Sequence, residues 1–98
     1  MPAYLYGNIE VTDPALYETY RQQVPAIIAA HGGRYLVRGG AAQRLEGDVS
    51  VHRQVILEFP TMAALKGFYE SPEYAPLIAL RQRAARGSLV AVEGVPNA

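Results

Sequence analysis

The amino-acid sequence predicts an α+β domain on the ferredoxin-like, split β-α-β plan, with elements in the order β-α-β-β-α-β. Three observations carry this. Residues 3–11 and 53–59 alternate their side chains with the period of a strand. The stretches that follow each of them repeat apolar residues at helical spacing. Glycine and proline punctuate the junctions, at Pro14, Gly32-Gly33, Gly39-Gly40, Pro60, Pro72 and Gly87.

The first strand, Ala3 to Val11, sets Leu5, Gly7, Ile9 and Val11 on one face and Tyr4, Tyr6, Asn8 and Glu10 on the other. Thr12-Asp13-Pro14 starts a helix, with an acidic cap and a proline whose missing N–H costs nothing in the first turn. Leu16, Tyr20, Val24 and Ile27 form its apolar stripe, widened by Tyr17 and Ile28. Pro25 removes the bond to the Arg21 carbonyl and is expected to kink it. His31-Gly32-Gly33 ends it.

The second strand is expected over Arg34 to Arg38, broken by Gly39-Gly40, with Ala41 to Leu45 as an irregular extension and Glu46-Gly47-Asp48 as a turn. The third, Arg53 to Phe59, is the most β-prone segment. Pro60-Thr61 opens a helix carrying Leu65, Phe68 and Tyr69. Ser71-Pro72-Glu73 restarts it, with Tyr74, Leu77, Ile78 and Arg81 as the stripe and Gly87 as the end. The last strand is expected over Ser88 to Val95, and the tail from Pro96 to Ala98 is expected to fray. In this plan the sheet is four-stranded and antiparallel, with the first and third strands predicted to be central and parallel to each other. Helices cover one sheet face.

Length and composition bound what such a domain does. A chain of 98 residues makes one domain, 1–98, and half of it is hydrophobic by the broad count. Nine basic and nine acidic side chains cancel, which argues against nucleic acid or an anionic membrane as partner. RNA binding on this plan also needs a glycine-aromatic pattern on the third strand, and Arg53 to Phe59 has none. Without cysteine there is no disulfide, no thiolate nucleophile and no thiolate metal site, which excludes the heavy-metal carriers built on paired cysteines. The start Met-Pro-Ala-Tyr-Leu-Tyr lacks the pattern of a secretory signal, and no apolar stretch approaches the roughly 20 residues of a membrane span, so a cytoplasmic protein is expected. No dinucleotide loop or phosphate-loop lysine is present, so no cofactor is expected.

The open face of the sheet is the informative surface. If Leu5 and Ile9 face the helices, then Tyr6, Asn8, Gln54, Ile56 and Glu58 share the other side. A mixed aromatic and polar face suits the lining of a partly wet cavity at a homodimer interface. Gly7 would let a helix approach.

Five blocks, Ile9 to Pro14, Gly32 to Gly40, Leu45 to Gly47, Glu58 to Pro60 and Ser71 to Tyr74, resemble a small bacterial family. It is known only as domain of unknown function number thirteen-thirty, within the dimeric α+β-barrel superfamily. The resemblance implies two ferredoxin-like sheets packed face to face across a two-fold axis. It implies no particular reaction, although the wider superfamily includes cofactor-independent monooxygenases, haem-degrading enzymes and small-molecule isomerases.

Within that frame Glu58 is the first candidate base, because a carboxylate desolvated mid-strand rises in pKa. The competing reading makes Glu58 a structural partner of an arginine across the dimer. His52, at the mouth of the third strand, is the second candidate base. Asn8 and Tyr6 would orient a ligand. Arg34 and Arg38, four residues apart, are expected on one strand face with Leu36, and Arg38 would clamp a carboxylate. Tyr69, Tyr74 and Arg81 would line the entrance, whereas His31 would serve the end of its helix. No metal site is expected from these two histidines. The chemistry envisaged is proton transfer or oxygen insertion on a small organic acid or polyketide-like molecule. The alternative is a homodimer that only makes an interface and binds no ligand.

Overall fold

The computed structural model describes residues 1–96, so the fraying expected at Asn97 and Ala98 lies outside the described residues. The elements are β1 (Ala3–Val11), α1 (Pro14–Ala30), β2 (Arg34–Arg38), β3 (Arg53–Phe59), α2 (Met62–Tyr69), α3 (Ala75–Ala84) and β4 (Ala85–Glu93). The strand order is β2-β3-β1-β4, with every neighbouring pair antiparallel. The expected parallel pairing of the first and third strands is therefore corrected. Helix α1 carries the chain back, so β1 and β2 run the same way. Strand β3 then reverses direction after β2 and inserts between them, antiparallel to both.

Local chemistry sets the element ends. Asp13 accepts from the Leu16 amide at 3.1 Å and Thr61 from the Ala64 amide at 3.0 Å, each cap stabilising its helix by about 1 kcal/mol. Ser71 Oγ accepts from the Tyr74 amide at 3.2 Å, capping a turn ahead of α3 rather than the helix itself. Helix α1 runs through Pro25, and the Arg21 carbonyl that this proline leaves unbonded is met by Nη2 of Arg38 at 3.0 Å.

Helix α3 stops at Ala84, and β4 begins at once, so Gly87 lies inside the strand rather than at the helix end. Its φ of 154° is one that side-chain-bearing residues rarely adopt, and a Cβ there would collide with the carbonyl of Asn8. The space at Gly7 is taken by Leu89 of β4, whose Cδ2 would lie 2.8 Å from an added Cβ, and not by a helix.

The core lies between the sheet and the helices. Phe59, Leu65, Phe68 and Tyr74 are its largest fully buried side chains, each stabilising by about 1.5–3 kcal/mol relative to exposure. Phe68 stacks on Phe59 at 5.4 Å and tilts against Tyr74 at 4.4 Å between ring centroids. No described element covers the opposite sheet face. The molecule is 17 Å along its thinnest axis and 40 by 37 Å across.

Candidate functional site

The open face carries two polar clusters at opposite ends of β1 and β3. At one end Glu58, paired in register with Tyr4, accepts from Arg34 Nε at 2.8 Å and from the Tyr4 hydroxyl at 3.2 Å. The Arg34 hydrogen bond holds the Glu58 carboxyl below the usual glutamate range and outweighs the desolvation that would raise it. The upward shift expected of a buried base is thus reversed. The ion pair forms within one chain rather than across a dimer.

At the other end Asn8 is the hub. Its Oδ1 accepts from Gln54 Nε2 at 2.7 Å and from the His52 amide at 2.9 Å, while Nδ2 donates to the Ser50 carbonyl at 2.8 Å. The Tyr6 hydroxyl donates to Gln54 Oε1 at 2.5 Å. These bonds pin the entry to β3 onto β1. Beyond them Glu10 accepts from Arg86 Nε at 3.0 Å, and His52 Nε2 stands 3.9 Å from the same carboxylate. Arg86 holds Glu10 below its ordinary pKa.

The helix-covered face differs. Between α1, α3 and the sheet lies a cavity of about 40 Å³. Apolar side chains such as Val24, Ile28, Leu57 and Phe68 make much of its wall. Its polar groups are Tyr17, Tyr20, Tyr35 and Tyr74 with Arg21, Arg38, Arg53 and Arg81, and among the described residues no carboxylate lines it. The Tyr20 and Tyr74 hydroxyls are 2.6 Å apart and buried. Burial raises both phenol pKa values above the ordinary tyrosine range; next to it, Tyr74 raises that of Tyr20 further, while Arg81 lowers both. The dyad is neutral, and a phenol O–H is available as a donor.

The arginines are held in different ways. Arg21 is paired with Glu18 at 2.7 Å. Arg38 lies over the Tyr35 ring at 4.5 Å and Arg53 over Tyr17 at 5.7 Å, both cation–π contacts. Gly39 at φ 72° leaves room for the Arg53 guanidinium, which any side chain there would strike. Arg81 is only 8 % exposed, and its Nη1 has no hydrogen-bond partner among the described residues; Nε of Arg53 is likewise buried and unpartnered among them.

The residues singled out from the sequence therefore fall in three places. Tyr6, Asn8, His52 and Glu58 are on the open face, with Glu58 at the end away from Asn8 and His52. Arg38, Tyr74 and Arg81 line the cavity, and Tyr74 is buried rather than at an entrance. Tyr69 meets Tyr74 edge-on at 6.0 Å and lines a separate groove with Leu65 and Lys66. The expectation that Arg34 and Arg38 share a face is overturned by a bulge between Tyr35 and Val37. It leaves Arg34 opposite Glu58 and Arg38 opposite Val55, on the other side. Tyr20 and Arg53 were not among the candidates. Arg53 did carry a sign, since it occupies the same strand parity as the apolar Val55, Leu57 and Phe59.

Fold and cavity together define a small α+β domain in which helices and a four-stranded antiparallel sheet enclose a basic, tyrosine-lined cavity. The chain belongs to the family described as domain of unknown function DUF1330, whose model matches residues 2–95. No curated protein matches it. Among solved structures it is similar to a protein of unknown function from Rhodopseudomonas palustris, at 20% identity and a TM-score of 0.77, over 98% of this chain and 84% of that one. It is similar to SnoaB, a cofactor-independent oxygenase from Streptomyces nogalater, at 11% identity and a TM-score of 0.67, over 98% and 95%. Rv0793 from Mycobacterium tuberculosis shares 16% identity at a TM-score of 0.57, over 100% and 99%. At these identities the likeness is one of fold.

Proposed function

We propose that the protein is a homodimer that binds a small organic molecule in the cavity between its helices and its sheet. The observation that carries the binding site is Arg81, a buried guanidinium lining that cavity with a nitrogen lacking any partner. Buried polar atoms are bonded in all but a few cases, so an unbonded one beside a cavity calls for a partner there, a ligand or an ordered water. This moves the site from the sheet-to-sheet interface anticipated from the sequence. The open face's polar groups already satisfy one another, whereas the cavity's do not.

The open face supports the dimer. Val90 and Val92 are 53 % and 52 % exposed beside Tyr6, a contiguous apolar patch of the kind that marks an interface. On the segment between β2 and β3, Leu45 is 87 % exposed and Val49 and Val51 are also exposed, so this arm has apolar side chains with no cover from its own chain. The fold likeness to barrel-forming proteins supports the same reading. None of the described helices is long and apolar enough to cross a membrane. The absence of cysteine from the chain fits a reducing compartment, and we place the protein in the cytoplasm.

Native mass spectrometry of the protein purified from its own source tests this reading. The expected species has twice the chain mass and releases a small molecule on denaturation. A ligand-free monomer would contradict both halves. A ligand-free dimer would favour the interface-only alternative.

A further inference from the structure

We infer that the cavity is an anion site and that its ligand is a small carboxylate held by Arg81; the inference rests on the reading that the cavity holds the ligand. A guanidinium stays protonated in any protein environment, so Arg81 is a permanent charge. Taking a charge out of water is costly unless a counter-charge and hydrogen bonds replace the water. Arg81 is more than nine-tenths buried, yet has no acid within salt-bridge distance among the described residues. Arg38, which is exposed, and Arg53, which is half-buried, line the same cavity and also have no acid within salt-bridge distance among the described residues, and Arg53 adds a second unpartnered nitrogen. Glu18 is held by Arg21 and is not part of the lining. The whole chain is neutral, so this local excess of positive charge is an arrangement and not a reflection of composition.

Shape and size narrow the ligand. The tyrosine pair contains two hydroxyl hydrogens, and its mutual bond uses one, which leaves the other free to donate to an oxygen. A planar carboxylate matches the fork of a guanidinium in two parallel bonds and has lone pairs to spare for the phenol. The walls at Val24, Ile28 and Phe68 suit an alkyl remainder better than a fully hydrated inorganic ion. A cavity of about 40 Å³ lies between the ~10–15 Å³ that holds one water and the ~150 Å³ that holds benzene. An acid of two or three carbons is the occupant that fits.

Thermal unfolding of the intact protein in sodium acetate, in sodium propionate, in acetamide and in sodium chloride of matched ionic strength tests the inference. At about ten times its dissociation constant acetate should raise the midpoint by about 6–11 °C, and acetamide, the neutral analogue, should leave it unchanged. Arg81→Met should abolish the acetate response. Equal shifts with acetate and acetamide would overturn the anion while leaving the cavity a ligand site. An acetate shift that survives in Arg81→Met would overturn the assignment to this residue. If acetate, propionate and acetamide all fail to move the midpoint, the cavity reading falls with it. Should Arg81→Met not fold, arginine side-chain NMR of the unaltered protein decides. The Arg81 Nε signal should move with acetate and not with acetamide, while that of the exposed Arg44 stays in place. An unmoved Arg81 signal would overturn the inference.

Discussion

The two faces of one sheet divide the chemistry of this protein between them. On the open face each acid has its arginine: Glu58 with Arg34, Glu10 with Arg86. Asn8 and Gln54 satisfy each other there. On the covered face the same strands, read one residue out of step, supply an apolar core into which Arg53 and Arg81 project without an acid. Surface pairs of the first kind contribute little, because water and salt screen them. An unpaired buried cation of the second kind is unfavourable to an empty fold. A sheet face rich in ion pairs is therefore the weaker claim to a site, and a face with one unsatisfied charge is the stronger.

Substitutions on the two faces should separate folding from assembly. The largest effect is expected at Phe68, fully buried between Phe59 and Tyr74. Phe68→Ala should cost about 3–5 kcal/mol in chemical denaturation, monomer and dimer alike. On the opposite face Val90→Asp should leave the subunit folded but weaken self-association by about 100-fold, read by sedimentation equilibrium. If Val90→Asp instead unfolds the subunit and leaves assembly intact, the division between the faces is wrong.

Next in size is the tyrosine dyad. Tyr20→Phe removes one hydroxyl of a buried 2.6 Å pair and should cost about 1–3 kcal/mol. The double variant with Tyr74→Phe should cost less than the sum of the two singles, because they lose the same bond. Additive costs would show that the hydroxyls act separately.

The smallest effect concerns Glu58. Its pKa is depressed in the folded state, chiefly by the Arg34 hydrogen bond. The unfolded chain thus takes up a proton more readily, and stability falls as the pH drops below the ordinary glutamate range through the folded value. Stability from this group is fully present at neutral pH. Glu58→Gln should flatten the acid limb of the stability–pH curve slightly and leave acetate binding unchanged. Lost ligand binding in a folded Glu58→Gln dimer would return the site to the open face.

Much of this architecture was legible before any coordinates. The strict alternation of β1 and β3 placed Leu5 and Ile9 against the helices and Tyr6 and Asn8 away from them, because burial on one face enforces period two. The site was legible only in part. A single bulge at Leu36 turns Arg38 to the covered side, and nothing in Tyr-Leu-Val announces it. Tyr20 and Tyr74 are 54 residues apart and meet only through the packing of α1 on α3. Arg81 was read as part of an apolar stripe and also as a pocket residue, and the structure unites the two. The direction of strand pairing was not legible from alternation, because parallel and antiparallel neighbours share the same period of two, and the reversal of β3 after β2 makes it antiparallel to β1.

The most direct test is a crystal structure of the protein grown with sodium acetate. The account predicts acetate against Arg81 in each protomer, between α1, α3 and the sheet, with the open faces packed on each other. Acetate enclosed between two open faces against Asn8 or Glu58, with only water at Arg81, would contradict it.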